Sequence, residues 1–188
     1  LPSTALSPPH RRGALPGSGF AKMPNRIGIA RCNLTRIERG EAWGQNTNVT
    51  PAVARLLEGL DRERLEIAAV FGKTVRTIFD HSTLTHGISG GSVAEVYASL
   101  AQQGKDPVEA KDINTRYVLE DVPFGLVSTI HLARMAGVAA PLHTSGVEIL
   151  SACYGRDFTA DDDLPPELGL VERDLLVRAA TGGYPVAS

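Results

Sequence analysis

Thr50-Pro51-Ala52-Val53-Ala54-Arg55-Leu56-Leu57-Glu58-Gly59-Leu60-Asp61-Arg62-Glu63-Arg64-Leu65-Glu66-Ile67-Ala68-Ala69-Val70-Phe71-Gly72 is the stretch whose pattern sets the fold class. Thr50 is a side-chain acceptor suited to the N-cap, and Pro51 is preorganised for the first helical position. Val53, Leu56, Leu57, Leu60, Ile67 and Phe71 then recur on one stripe, which is the signature of an amphipathic helix.

The same periodicity continues on both sides. Upstream, Ile27, Ala30, Leu34 and Ile37 recur at helical steps, with Gly40 as a C-terminal cap. Downstream, Val75, Ile78 and Phe79 predict a short helix, and Ser92-Val93-Ala94-Glu95 is a capping box ahead of Val96, Tyr97 and Leu100. A fifth helix is expected from Pro123 to Gly137, a sixth from Pro141 to Gly155, and a last short one from Val171 to Ala180. Asp161-Asp162-Asp163-Leu164-Pro165-Pro166 reads as a loop, and no run alternates as a strand would. The expectation is an all-α, bundle-like domain of some seven helices over residues 25–180. Residues 1–24, rich in Pro, Ser and Gly without an apolar period, are expected to be disordered or non-native. Residues 181–188 are expected to be a tail.

Composition bounds the function without naming it. The chain has 188 residues, 43% of them hydrophobic and 21% charged, which suits one domain with a sizeable core. No run approaches the roughly 20 apolar residues of a membrane span. Cys32 and Cys153 are too few for a disulfide framework, so a reducing, cytoplasmic setting is the expectation. Net charge is −2, split into +6 over residues 1–39 and −8 over the rest. The basic end lacks interleaved aromatics and any helix-turn-helix or zinc-finger spacing, which argues against a nucleic-acid partner. No histidine spacing suggests a metal site.

One stretch carries chemistry: Asn114-Thr115-Arg116-Tyr117-Val118-Leu119-Glu120-Asp121-Val122-Pro123-Phe124-Gly125-Leu126-Val127. Arg116 offers a planar guanidinium suited to carboxylate or phosphate. Glu120 and Asp121 would complement the dipole of a helix starting at Pro123. If the lead-in were helical, five residues would turn Arg116 and Asp121 about 140° apart. A single site shared by the two requires an irregular or extended segment before Pro123, which the residues next to a proline permit. The plainer reading is a helix entry with a surface ion pair.

These residues resemble the C-terminal domain of the opine dehydrogenases, the octopine and nopaline dehydrogenase family. Gly137-Val138-Ala139-Ala140-Pro141-Leu142 is similar to that family's Gly-Val-x-Thr-Pro segment, and Asp157-Phe158 and Leu168-Gly169-Leu170 are similar to its closing elements. Upstream, Asn33 with Ile37-Glu38 resembles an Asn-Ala-Gly-x-Ile-Glu segment. Val49-Thr50-Pro51 through Leu60-Asp61 and Glu63-Arg64 resembles another. The likeness runs in order from about residue 30 to about residue 175.

The resemblance implies a helical domain similar to the C-terminal domain of 6-phosphogluconate dehydrogenase, without the Rossmann domain that would bind NAD or NADP. Gly17-Ser18-Gly19 begins like a dinucleotide fingerprint but lacks its third glycine and a preceding strand, so it reads as loop. The implied reaction joins an amino acid and a 2-oxo acid through an imine that NAD(P)H reduces, chemistry on a CH–NH group. In that setting Arg116 is the cofactor-binding cation, set against the pyrophosphate, and Asp121 is the catalytic carboxylate that orients a general acid/base histidine. Here the chain departs from the family, because Arg26-Ile27 stands where the family has His-Pro. His10, His81, His86, His131 and His143 supply no evident replacement, with His131 and His143 read as interface-packing or solvent-facing. The expectation is therefore a fragment inactive alone, or else a non-catalytic helical module that uses its helices for homodimerisation or another partner. Trp43 reads as core filler, or as a wall of a substrate pocket.

Overall fold

The long apolar stripe becomes the axis of the molecule in the computed structural model, which describes residues 27–88, 90–114, 116–161 and 172–182, with side chains at 116–117 and 179–182 outside that description. Nine α-helical segments occur among the described residues: α1 (27–32), α2 (Leu34–Glu38), α3 (Pro51–Val70), α4 (Ile78–His86), α5 (Val93–Gln102), α6 (Arg116–Asp121), α7 (Ser128–Ala136), α8 (Pro141–Tyr154) and α9 (Arg173–Gly182). A π-helical turn, Val122–Val127, joins α6 to α7, and a 3-10 turn, Phe158–Asp161, follows α8. The all-α expectation holds: among the described residues, pairing of the β type is limited to one antiparallel bridge, Gly44 to Val108. The readings made for residues 1–24, for Asp162 to Leu170 and for 183–188 lie outside the described residues.

α3 packs against α4, α5, α7 and α8. The Thr50 hydroxyl accepts from the Val53 amide at 3.4 Å, and Pro51 opens the helix, as the sequence indicates. Leu57, Leu60 and Ile67 are buried, each removing enough apolar surface to stabilise by about 1.5–3 kcal/mol.

Two core clusters flank this axis. One gathers Ile29, Ile37, Trp43, Leu57, Ile78 and Tyr97; the other gathers Ile27, Val118, Val122, Leu126, Leu150 and Phe158. α1 serves both, since Ile27 and Ile29 point to different clusters. Gly28 lets α1 lie close on α3, because a Cβ there would come within 2.6 Å of Leu57 Cδ2. Trp43 fills the first cluster, and its Nε1 donates to the Ala110 carbonyl at 2.9 Å.

That bond belongs to a clamp between the loops before α3 and after α5. Asp106 accepts from the amides of Asn46 and Thr47 and from the Thr47 hydroxyl, while Gln45 N–H donates to the Pro107 carbonyl. The clamp fixes where the chain leaves α5 and approaches α6.

Helical structure begins at Arg116, seven residues before the expected start at Pro123. Proline has no N–H, and its ring collides with the carbonyl four residues back in a regular α-helix. Widening the helix by one residue across Val122–Val127 accommodates Pro123 without breaking the rod. Glu120 and Asp121 therefore end α6 rather than precede a helix, and the dipole-complementing role expected for them does not apply. The last helix, expected over Val171 to Ala180, runs instead over Arg173–Gly182.

Candidate functional site

Arg116 and Asp121 mark the two ends of α6. The helical backbone separates the two positions by about 140° around the axis. The irregular lead-in that would let both face one ligand is not what forms. Asp121 is half-buried and engaged, Glu120 is exposed, and Phe124 is exposed one turn further along.

What surrounds α6 is decided by apolar packing. Val118 and Val122 are buried in the same cluster as Ile27, so the start of α1 belongs to the same packing unit as the C-terminal half of α6. Asn33, singled out in the sequence, has a structural task. Its side chain donates to the Ile29 carbonyl at 2.9 Å, and its backbone breaks α1 from α2.

A second polar constellation lies where sequence reasoning saw nothing. His143, on the first turn of α8, is fully buried rather than solvent-facing. Its Nδ1 lies 2.7 Å from Glu63 Oε2, and the same carboxylate accepts from the amides of Leu142 at 2.8 Å and His143 at 3.2 Å. Pro141 is the first residue of α8 and Ala140 makes no side-chain cap bond, so the helix start is capped by a carboxylate from α3. Burial lowers the His143 pKa from 6.5, opposed by the hydrogen bond and charge of Glu63 and reinforced by the charges of Arg31 and Arg64. Its Nε2 is buried without a partner among the described residues. On the opposite flank of α3, Asp61 receives Arg64 at 2.7 Å and the Ile78 amide at 2.8 Å, fixing α4.

The other histidines fall elsewhere. His81 and His86 both lie on α4, His81 buried and His86 exposed. With Tyr97 and Lys105 they line a cavity of about 510 Å³ that contains no residue of α6. His131 is half-buried on α7, and His10 lies outside the described residues. Among the described residues no group of three His, Cys, Asp or Glu side chains could hold a metal ion. Among them, no helix is long and apolar enough to cross a membrane.

Residues 26–154, which take in α1 to α8, match the family described as NAD/NADP octopine/nopaline dehydrogenase, alpha-helical domain. The chain belongs to that family. It is 30% identical over 151 residues to an opine dehydrogenase of Arthrobacter sp. (strain 1C), covering 79% of this chain and 40% of that relative. The opine-dehydrogenase-like helical domain thus spans less than half the length of the relative it matches. Both Arg116 and Asp121 fall inside the matched region.

Proposed function

We propose that this chain is the helical substrate domain of an NAD(P)-dependent dehydrogenase that condenses an amino acid with a 2-oxo acid and reduces the product at its CH–NH group. The observation that carries this reading is the shared packing of α6 with the start of α1, inside the family's helical domain. It brings the carboxylate end of α6 into one packing unit with Ile27, the first residue of α1.

The division of labour follows from the helix. Arg116 and Asp121 diverge around α6, so they act on different groups rather than on one. Arg116 serves as the fixed cation against the pyrophosphate of the dinucleotide, whose nicotinamide supplies hydride to the condensed substrate carbon. The role read for Asp121 is to orient an imidazole carried at position 26 and to stabilise its protonated form. Proton transfer needs such a group near neutral pKa, and Arg26 does not provide it. That departure favours a second reading for this particular chain: a helical module that keeps the fold, acts without catalysis and pairs through its helices.

Two measurements on the chain test the roles. NADH binding, followed by saturation-transfer NMR, should weaken at least about tenfold in Arg116→Ala, a change of about 1.4 kcal/mol. Unaltered affinity refutes the pyrophosphate role. Replacing Arg26→His should introduce an imidazole whose pKa lies about one unit higher with Asp121 than in the Asp121→Asn background. Equal values refute the dyad and leave the non-catalytic module.

A further inference from the structure

We propose that Arg31 binds the carboxylate of a small 2-oxo or amino acid, held in its orientation by His143, which Glu63 in turn fixes. The substrate class rests on the reading above; the geometry of the cation does not.

Arg31 lies one helical turn after Ile27, on the same face of α1, and so runs toward the cluster that holds Val118, Val122 and Leu126. Its guanidinium reaches α8 at Gly146. A Cβ on Gly146 would stand 2.7 Å from Arg31 Nη1 and 3.8 Å from Leu126 Cδ1, so the cation lies between α8 and the π-helical turn that follows Asp121. Glycine is what admits it there.

Among the described residues this half-buried guanidinium has no hydrogen bond and no ion pair. Arg64 shows the contrast expected of a structural arginine, being held by Asp61 and by the Arg76 carbonyl. A partly buried cation without an ion-pair partner among the described residues is available to an anion from outside.

The imidazole explains how it is aimed. His143 lies three residues before Gly146, on the same side of α8. The Glu63 carboxylate can only accept, so the proton shared with it sits on Nδ1, and the buried Nε2 carries a lone pair. Guanidinium has donors only. The Arg31 charge is felt at His143 without a direct bond to Nε2, so one water between an Arg31 N–H and Nε2 would answer that lone pair and leave the rest of the fork for a bidentate carboxylate. Arg116, at the far end of α6, keeps the separate cofactor role.

The test is a titration of the whole chain with pyruvate, following the Arg31 Nε–H resonance and the His143 ring nitrogens by NMR, with ethyl pyruvate as the uncharged analogue. Pyruvate should move the Arg31 resonance saturably and ethyl pyruvate should not. Arg31→Gln should weaken pyruvate at least about tenfold, Arg31→Lys less, because a point charge loses the fork. Gly146→Ala keeps the charge but displaces the guanidinium, and should weaken pyruvate severalfold with the circular dichroism unchanged. Should that variant fail to fold, Arg31→Gln carries the test. The His143 Nε2 shift should change in Arg31→Gln, which a purely structural arginine on the surface of α1 would not cause. Equal responses to the ester and the acid, or pyruvate binding untouched in Arg31→Gln, overturn the proposal. Pyruvate binding lost in Arg31→Gln, together with equal Arg26→His imidazole pKa values with and without Asp121, supports this site while refuting the catalytic dyad, so the two fail separately.

Discussion

Replacing Glu63 by alanine tests the contact that ties α3 to α8, and its cost can be worked from the bonds it makes. The carboxylate is almost fully buried and receives Leu142 N–H, His143 N–H and His143 Nδ1. Each hydrogen bond to a charged group stabilises by about 1.5–3 kcal/mol, and the three share one anion, so they do not simply add. Removing one partner of a buried charged constellation typically costs about 3–5 kcal/mol, the range expected for Glu63→Ala. In a domain of this size 1 kcal/mol shifts Tm by roughly 2–4 °C, so the melting temperature should fall by about 10 °C. Glu63→Gln preserves shape and one acceptor but loses the charge at the helix start, and should cost about 1–2 kcal/mol. Equilibrium urea unfolding gives both values, with the slope unchanged if only the native state is affected. A loss below about 1 kcal/mol for Glu63→Ala would refute the argument that this carboxylate caps α8.

Three further outcomes follow from the same packing. Because burial lowers the His143 pKa below 6.5, the unfolded chain binds a proton that the folded chain refuses in the window between the lowered value and 6.5. This stabilisation is present above 6.5 and is lost as pH falls, with a slope of at most about 1.4 kcal/mol per pH unit. His143→Gln should remove that component from urea midpoints measured between about pH 5 and about pH 7.5, and parallel curves would refute it. Gly28→Ala places a Cβ 2.6 Å from Leu57 Cδ2. Overpacking of about 1–3 kcal/mol should exceed the roughly 1 kcal/mol gain in helix propensity, and a raised melting temperature would deny the close contact of α1 with α3. Asp61→Ala should cost about 3–5 kcal/mol by stranding buried Arg64. Asp61→Ala with Arg64→Met should recover much of that loss in calorimetry, which an independent role for either residue would prevent.

Local chemistry was the legible part of this sequence. Thr50, Ser92 and Pro141 each start a helix where expected, and Gly137 and Gly155 each end one in the left-handed conformation. Even the capping box deviates slightly, since Glu95 reaches the Gly91 amide rather than that of Ser92. Pro123 misled because its local preference for starting a helix is overridden by the buried face of Val118, Val122, Leu126 and Val127, which a π-helical turn keeps continuous. The His143–Glu63 pair was illegible because its partners are 80 residues apart, and nothing around either residue records the other. Arg31 escaped notice for a related reason: its setting depends on Gly146, a glycine inside a helix whose purpose appears only when α1 is laid across it. Arg116 and Asp121 were found through family likeness, not periodicity.

The widened turn at Val122–Val127 also makes the domain sensitive to how this one segment is wound. An extra residue is absorbed there, so winding the same residues as ordinary α-helix would rotate everything after it by about 100°. Ile130 and Ala133, now turned inward, would swing toward water, while Asp121 stayed where it is. The turn thus works as a slipped gear tooth: it lets the carboxylate and the downstream core each keep their own phase on one continuous rod.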